Sequence, residues 1–207
     1  DTNRTVVTFV GDRQGVLDGA FAGIAKAAEL IDMRHHSGAH PRLGATDVCP
    51  LVPVSGISIE ECIALSHQLA KRVADELQIP IYLYEKSAQK AERVDLADIR
   101  AGEYEGLAQK LSDPNWQPDY GPARFNAKSG ATVIGVREFL IAYNVNLNTR
   151  DRKLANEIAL TIREKGRQKR EQNGAIVRDE QGEPVYEAGL LKDTKAVGWY
   201  IDEYKMA

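Results

Sequence analysis

The chain has 207 residues, 43% hydrophobic and 28% charged, an ordinary globular composition that can bury a core without staples. Its 27 basic and 30 acidic residues leave a net charge of −3. That excludes the basic excess gathered on one face that a nucleic-acid binder needs, and the one basic run, Arg163 to Arg170, reads as a solvated helix end. Two cysteines, Cys49 and Cys62, make no disulfide framework; each lies in an apolar stretch and reads as a small core residue, which points to a reducing, cytoplasmic setting. No stretch approaches the roughly 18 consecutive apolar residues of a membrane span. There is no signal peptide and no initiator Met, and the chain opens at the edge of a strand-like stretch, so a fragment or a processed product is expected.

In chain order, "TVVTFV" (5–10) is β-branched and aromatic and ends in Gly11-Asp12, the signature of a strand and a turn. Val16, Leu17, Ala20, Phe21, Ile24, Ala27, Ala28 and Ile31 recur at helical spacing and predict an amphipathic helix over 14–31. Residues 32–45 form a loop rich in His and Gly. "TDVCPLVPV" (46–54) reads as a strand that its prolines, 50 and 53, make an edge strand, bulged or short. Ser58 and Glu61 form a capping box before a helix over 59–77, and "IPIYLYE" (79–85) is the next strand. Residues 96–111 are weakly helical, and 112–130 are a long irregular loop with three prolines, a length that is often functional. Strands are expected at "ATVIGV" (131–136) and "FLIAYNVNL" (139–147), a helix over 151–165, a hairpin turning near Gln181-Gly182, and a last strand at "AVGWYI".

The chemistry concentrates in the histidine loop, where His35, His36 and His40 lie within six residues and Asp47 is near. Three readings stand. The first is a metal site such as that of a metal-dependent hydrolase; against it, no H-x-x-x-H lies on a helix with a Glu beside it and the cysteines are not paired as C-x-x-C. The second is a polar turn without chemistry. The third is a proton-transfer histidine: an imidazole near its ordinary pKa exchanges protons at neutral pH. Pro41 restricts His40 to extended angles, and Gly38 and Gly44 permit close approach of backbone to a ligand. There is no G-x-G-x-x-G and no phosphate-binding loop signature.

The stretches "NRTVVTFVG", "IDMRHHSGAHPRLGATDVCPLVPV", "PIYLYE", "IRAGEYEGL", "PDYGP", "LIAYNVNL", "EIALTIREKG" and "AVGWYIDEYKMA" resemble glutamate formimidoyltransferase, in order and along nearly the whole chain. This is a folate-dependent enzyme found alone in bacteria and fused to a cyclodeaminase in animals. The resemblance implies transfer of a formimidoyl group from N-formimidoyl-L-glutamate to N5 of tetrahydrofolate, with release of L-glutamate, in histidine degradation. It implies that His40, the histidine of the H-P-R motif, is the acid–base catalyst, with tetrahydrofolate as co-substrate and no metal. It also implies a homodimer and a folate-contacting segment at Gly121, Pro122, Ala123, Arg124, Phe125, Asn126, Ala127, Lys128, Ser129 and Gly130. Phe125 would stack on the pterin or lie in the core.

Both substrates are anions, so the site needs local positive charge. Arg4, Arg42 and Arg100 are candidates, Arg42 foremost because it lies two residues from His40. Asp47 would orient the His40 imidazole or cap a turn. His67 is expected to be a partly exposed helix residue.

The expected fold class is α/β, an α+β sandwich of mixed-sheet subdomains with helices on the outer face and the other sheet faces lining a cleft. The expected division is an N-terminal subdomain over 1–138, lacking the family's first strand and helix, and the beginning of a C-terminal subdomain over 139–207. A folate-binding relative without turnover is the alternative function.

Overall fold

Thr132-Val-Ile-Gly-Val136 is a short run of mostly β-branched residues with no polar alternation, the pattern of a strand covered on both faces. In the computed structural model, which describes residues 2–207, this run is β3, and all five of its residues are buried. It lies at the centre of a parallel sheet of order β1-β3-β2. Strand β1 (Val48–Leu51) pairs along one edge, with Val48 opposite Val133. Strand β2 (Ile81–Glu85) pairs along the other, with Ile81 opposite Thr132. The predicted proline-bearing strand is thus an edge strand, where the missing N–H of Pro50 interrupts no central ladder.

Helices α1 (Arg13–Leu30) and α2 (Ile59–Leu77) cover one sheet face: Leu17, Ala20, Ile24, Leu69, Val73 and Ala74 pack on Ile81, Leu83 and Ile134. The capping box of α2 is formed as predicted, with the Glu61 amide donating to Ser58 Oγ and the Ser58 amide to the Glu61 carboxylate. Helices α3 (Leu96–Arg100) and α4 (Glu103–Ser112) cover the opposite face, where Ile99, Leu107 and Leu111 pack on Tyr82, Tyr84 and Val133. The mixed α/β class holds, but this sheet carries helices on both faces and leaves neither to line a cleft. The cause is topological. The chain crosses from β1 to β2 by α2 and returns from β2 to the central β3 by α3 and α4. Two crossovers of one hand that run in opposite directions must lie on opposite faces.

The irregular stretch before β3 is pinned by a buried ion pair. Arg93 Nη1 donates to Asp119 Oδ1 at 2.6 Å, and both side chains are almost wholly buried. Arg93 Nη2 reaches the carbonyls of Asn115 (3.1 Å) and Gln117 (2.7 Å), while Asp119 Oδ2 accepts the Leu83 amide of β2 at 2.8 Å.

Three predicted strands are absent. Among the described residues, 5–10, 139–147 and 196–201 form no strand, with Val7 77% and Ile141 93% exposed. Strand propensity is realised only against a neighbouring strand.

The chain divides into two units, Thr2–Ile141 and Ala142–Ala207. In the second, helix α5 (Arg152–Ile162) is capped by Asp151, which accepts the Lys153 and Leu154 amides. Strands β4 (Arg167–Gln168) and β5 (Tyr186–Glu187) pair antiparallel, and the predicted hairpin turns at 179–182, where the Gly182 amide donates to the Asp179 carbonyl at 3.0 Å. "AVGWYI" is not a strand; Ile201 makes one bridge, to Met206.

Removing one member of a buried pair leaves the other charge uncompensated. Arg93→Ala is expected to lower unfolding stability by about 3–5 kcal/mol, and Asp119→Ala comparably. Urea denaturation of either variant with an unchanged midpoint would refute that role.

Candidate active site

The histidine loop and the 121–130 loop are brought together by two glycines. Gly44 and Gly130 form an antiparallel bridge; the Ala45 amide donates to the Ser129 carbonyl at 2.9 Å and the Ala131 amide to the Leu43 carbonyl at 3.2 Å. A Cβ on Gly44 would lie 2.3 Å from the Ser129 oxygen, and one on Gly130, whose φ is +68°, 2.1 Å from the Leu43 oxygen. Gly44 therefore serves backbone packing rather than the approach to a ligand expected of it, and so does Gly38, where a Cβ would lie 2.6 Å from the Thr2 carbonyl.

His40 is half-buried at the edge of this junction. Its Nδ1 lies 2.8 Å from the Pro41 carbonyl, and its Nε2 lies 2.7 Å from Arg4 Nη1. A carbonyl only accepts and a guanidinium only donates. The ring is therefore neutral, with the proton on Nδ1 and the basic lone pair on Nε2. Burial lowers the pKa of His40 from its ordinary value, and the charges of Arg4 and Arg100 act in the same direction; the Pro41 carbonyl and Asp47 oppose them.

Of the two readings of Asp47, orienting the imidazole or capping a turn, the structure shows the turn; the Pro41 carbonyl holds Nδ1 of His40. Asp47 Oδ1 accepts the Leu43 amide at 2.9 Å, which closes the loop on itself, and its carboxylate pairs with Arg100 Nη2. Arg42 is likewise committed: Nη1 donates to Glu103 at 2.8 Å and Nη2 to Glu105 at 2.6 Å. As a free anchor for a substrate carboxylate it is displaced by these two acids. Arg4, from the exposed N-terminal segment, is the arginine that faces the imidazole.

His36 accepts from Asn3 Nδ2 at 3.2 Å, and His35 lies in a 3-10 turn over Met33–His35. No group of three or more His, Cys, Asp or Glu side chains suited to a metal ion occurs among the described residues, so the three histidines supply no ligand set. His67 is half-buried on α2, as expected, with its Nδ1 2.8 Å from the Tyr120 hydroxyl.

The second half of the 121–130 loop is anchored through its backbone. The Gly130 amide takes the Asn126 carbonyl, the Tyr104 hydroxyl takes that of Ala127 at 2.6 Å, and the Met33 amide takes that of Lys128. Lys128 Nζ reaches the Glu29 carbonyl at the end of α1. Phe125 lies 5.4 Å from the Tyr104 ring and packs partly against the core. The first half, with Gly121, Ala123 and Arg124 exposed and Pro122 half-buried, is the part open to a ligand. Among the described residues Arg124 has no ion-pair partner. The Arg4–His40 contact and the acids that hold Arg42 had no sequence signal, since their partners lie 36 to 63 residues away.

A family model described as the formiminotransferase domain, N-terminal subdomain, matches residues 1–137, and one described as the formiminotransferase domain matches residues 142–207. A protein of Gallus gallus named formimidoyltransferase-cyclodeaminase is 48% identical over 206 residues, which cover 100% of this chain and 35% of that protein. A protein of Thermoplasma acidophilum named glutamate formimidoyltransferase is 50% identical over 165 residues, 79% of this chain and 54% of the relative. One of the same name from Streptococcus pyogenes is 48% identical over 164 residues, 79% of this chain and 55% of the relative. The chain thus spans about a third of the animal relative and little more than half of the microbial ones.

The double-glycine junction makes a sharp structural prediction. Gly44→Ala is expected to cost at least the roughly 1–3 kcal/mol of an overpacked core, because both facing atoms are backbone. A wild-type denaturation midpoint for this variant would show that the two loops do not depend on the contact.

Proposed function

The chain belongs to the formiminotransferase family, and on that footing we propose that it serves the transfer of a formimidoyl group from N-formimidoyl-L-glutamate to N5 of tetrahydrofolate, within histidine degradation. The observation that carries the reading is the state of His40: neutral, with Nδ1–H bound to the Pro41 carbonyl and Nε2 basic. In this reading His40 receives at Nε2 the proton that N5 gives up as its bond to the amidine carbon forms. It returns that proton to the glutamate nitrogen as the old carbon–nitrogen bond breaks, so one imidazole serves as base and then as acid.

Arg4 covers Nε2 in the ligand-free chain. A substrate carboxylate offers its guanidinium a stronger, bidentate partner. Binding of the anion then draws Arg4 aside and uncovers the base at the moment it is needed. On the facing loop, the exposed Gly121–Arg124 stretch takes the folate, with Arg124 available to a carboxylate of its glutamyl tail. The anchored Asn126–Gly130 stretch fixes the floor beneath it. Phe125, tilted against Tyr104, offers an edge rather than an open face to a pterin.

Folate binding without turnover is the second reading, favoured by the Arg4 contact that covers His40 Nε2. The two separate in one assay of formimidoyl transfer with both substrates. His40→Ala is expected to lower turnover by roughly 10²–10⁴-fold; equal turnover in variant and wild type would remove His40 from the mechanism. Folate bound with no glutamate released by the wild type would favour the second reading.

The pH profile follows from the depressed pKa. A protonated imidazole cannot act as the base, so kcat/KM falls as the pH drops through a pKa below the ordinary 6.5. Arg4→Ala removes one cause of the depression. Its acid limb is expected at higher pH, with a raised KM for N-formimidoylglutamate. An acid limb that stays in place would show that Arg4 does not act on His40.

A further inference from the structure

The loop that carries His40 is fastened twice to one short stretch, residues 100–105, where α3 ends and α4 begins. At the first fastening the loop supplies the acid: the Asp47 carboxylate takes Arg100 Nη2 and, at 3.4 Å, Nε. At the second the loop supplies the base: Arg42 reaches Glu103 and Glu105, its Nη1 lying 2.8 and 3.0 Å from them. The polarity is reversed between the two. A junction displaced along the loop would set like charges together, so the arrangement selects a single register. Asp47 and Arg100 are each less than one-fifth exposed, which makes their pair stronger than a surface one; Arg42 is equally shielded, while its acids face solvent.

The stretch between the two fastenings is bent to make them. Gly102 has φ +86° and Glu103 φ +54°. The left-handed region costs a non-glycine residue, and it persists where the surroundings hold it. Gly102 gives α4 no side-chain cap, and the Glu103 carboxylate turns to Arg42 instead. His40, Pro41 and Arg42 are consecutive, and the Pro41 carbonyl between them holds the imidazole proton. Whatever fixes Arg42 and the Leu43–Asp47 turn also fixes that carbonyl.

We infer that the α3–α4 junction is the positioning element of the imidazole: Arg100, Glu103 and Glu105 act through Asp47 and Arg42 to set the Pro41 carbonyl, and with it the direction of His40 Nε2. The inference rests on the reading of His40 as the proton-transfer group. None of the three junction residues need touch substrate.

The test is the NMR titration of the His40 ring in the wild type and two variants. Among the described residues, the charged groups that act on this ring are Arg4, Arg100 and Asp47. Arg100→Gln removes a positive charge and loosens the loop, so His40 is expected to titrate at higher pH. Asp47→Asn removes a negative charge, which alone would move the titration down. A junction that positions the ring predicts otherwise: losing Asp47 opens the Leu43–Asp47 turn and wets the half-buried imidazole, and burial is the largest cause of its lowered pKa, so His40 is expected to titrate at higher pH here too. Two upward displacements support the inference; opposite ones, or none, overturn it. Should Arg100→Gln fail to fold, the sign for Asp47→Asn decides alone. For the second fastening, Glu103→Gln with Glu105→Gln is expected to lower kcat by about 10–10²-fold with KM little changed, and an unchanged kcat removes those acids from the role. Absence of transfer by the wild type would sink the functional reading only, because the titrations need no substrate.

Discussion

Strand β3 is paired on both edges and buried on both faces, and the placement of every other element in the larger unit follows from that burial. Because β3 lies between β1 and β2, the two crossovers must take opposite faces. That puts α3 and α4 on the same side as Leu43, near the end of the histidine loop. The residue before β3, Ala131, continues into the glycine crossing with Gly44. The proposed active site is therefore an extension of the end of the central strand: one loop leads into β1, the other into β3, and they meet where the two strands begin.

Arg42, Asp47 and Arg100 are largely shielded from water, whereas Glu103 and Glu105 stay exposed. Beside them lies a neutral ring, with Nδ1 near the Pro41 carbonyl and Nε2 near Arg4. Burial favours the neutral imidazole, and the acids are occupied in neutralising arginines. The Pro41 carbonyl fixes the tautomer without adding a charge that would raise the basicity of the ring out of the useful range.

Much of the fold was legible because its signals were local. Periodicity gave α1 and α2, Ser58 and Glu61 gave the start of α2, and Pro50 placed β1 at an edge. Of the failures, 5–10, 139–147 and 196–201, the first is as rich in β-branched residues as β3. What separates them is the presence of neighbours, which no single stretch encodes. At the site, the H-P-R motif and the surrounding glycines drew attention to His40, but the glycines proved to serve backbone against backbone. Arg42 looked like an anion anchor because sequence proximity to His40 was the only distance available. Its true partners, Glu103 and Glu105, lie on a helix start that the weak 96–111 pattern did not even resolve from α3. For Asp47 the sequence left the imidazole and a turn open; it closes the turn, and its pairing with Arg100 depends on where α3 ends.

The order of the strands has a consequence for biosynthesis. Strands β1 and β2 never touch each other; each pairs only with β3, which is made last. A nascent chain that ends before Thr132 contains two strands and no ladder, with the apolar faces of α1, α2 and α4 already synthesised and nothing flat to pack on. The sheet and both loops of the site can form only after that last segment has left the ribosome, and until then the emerging chain offers two open edges to whatever else is in the cell.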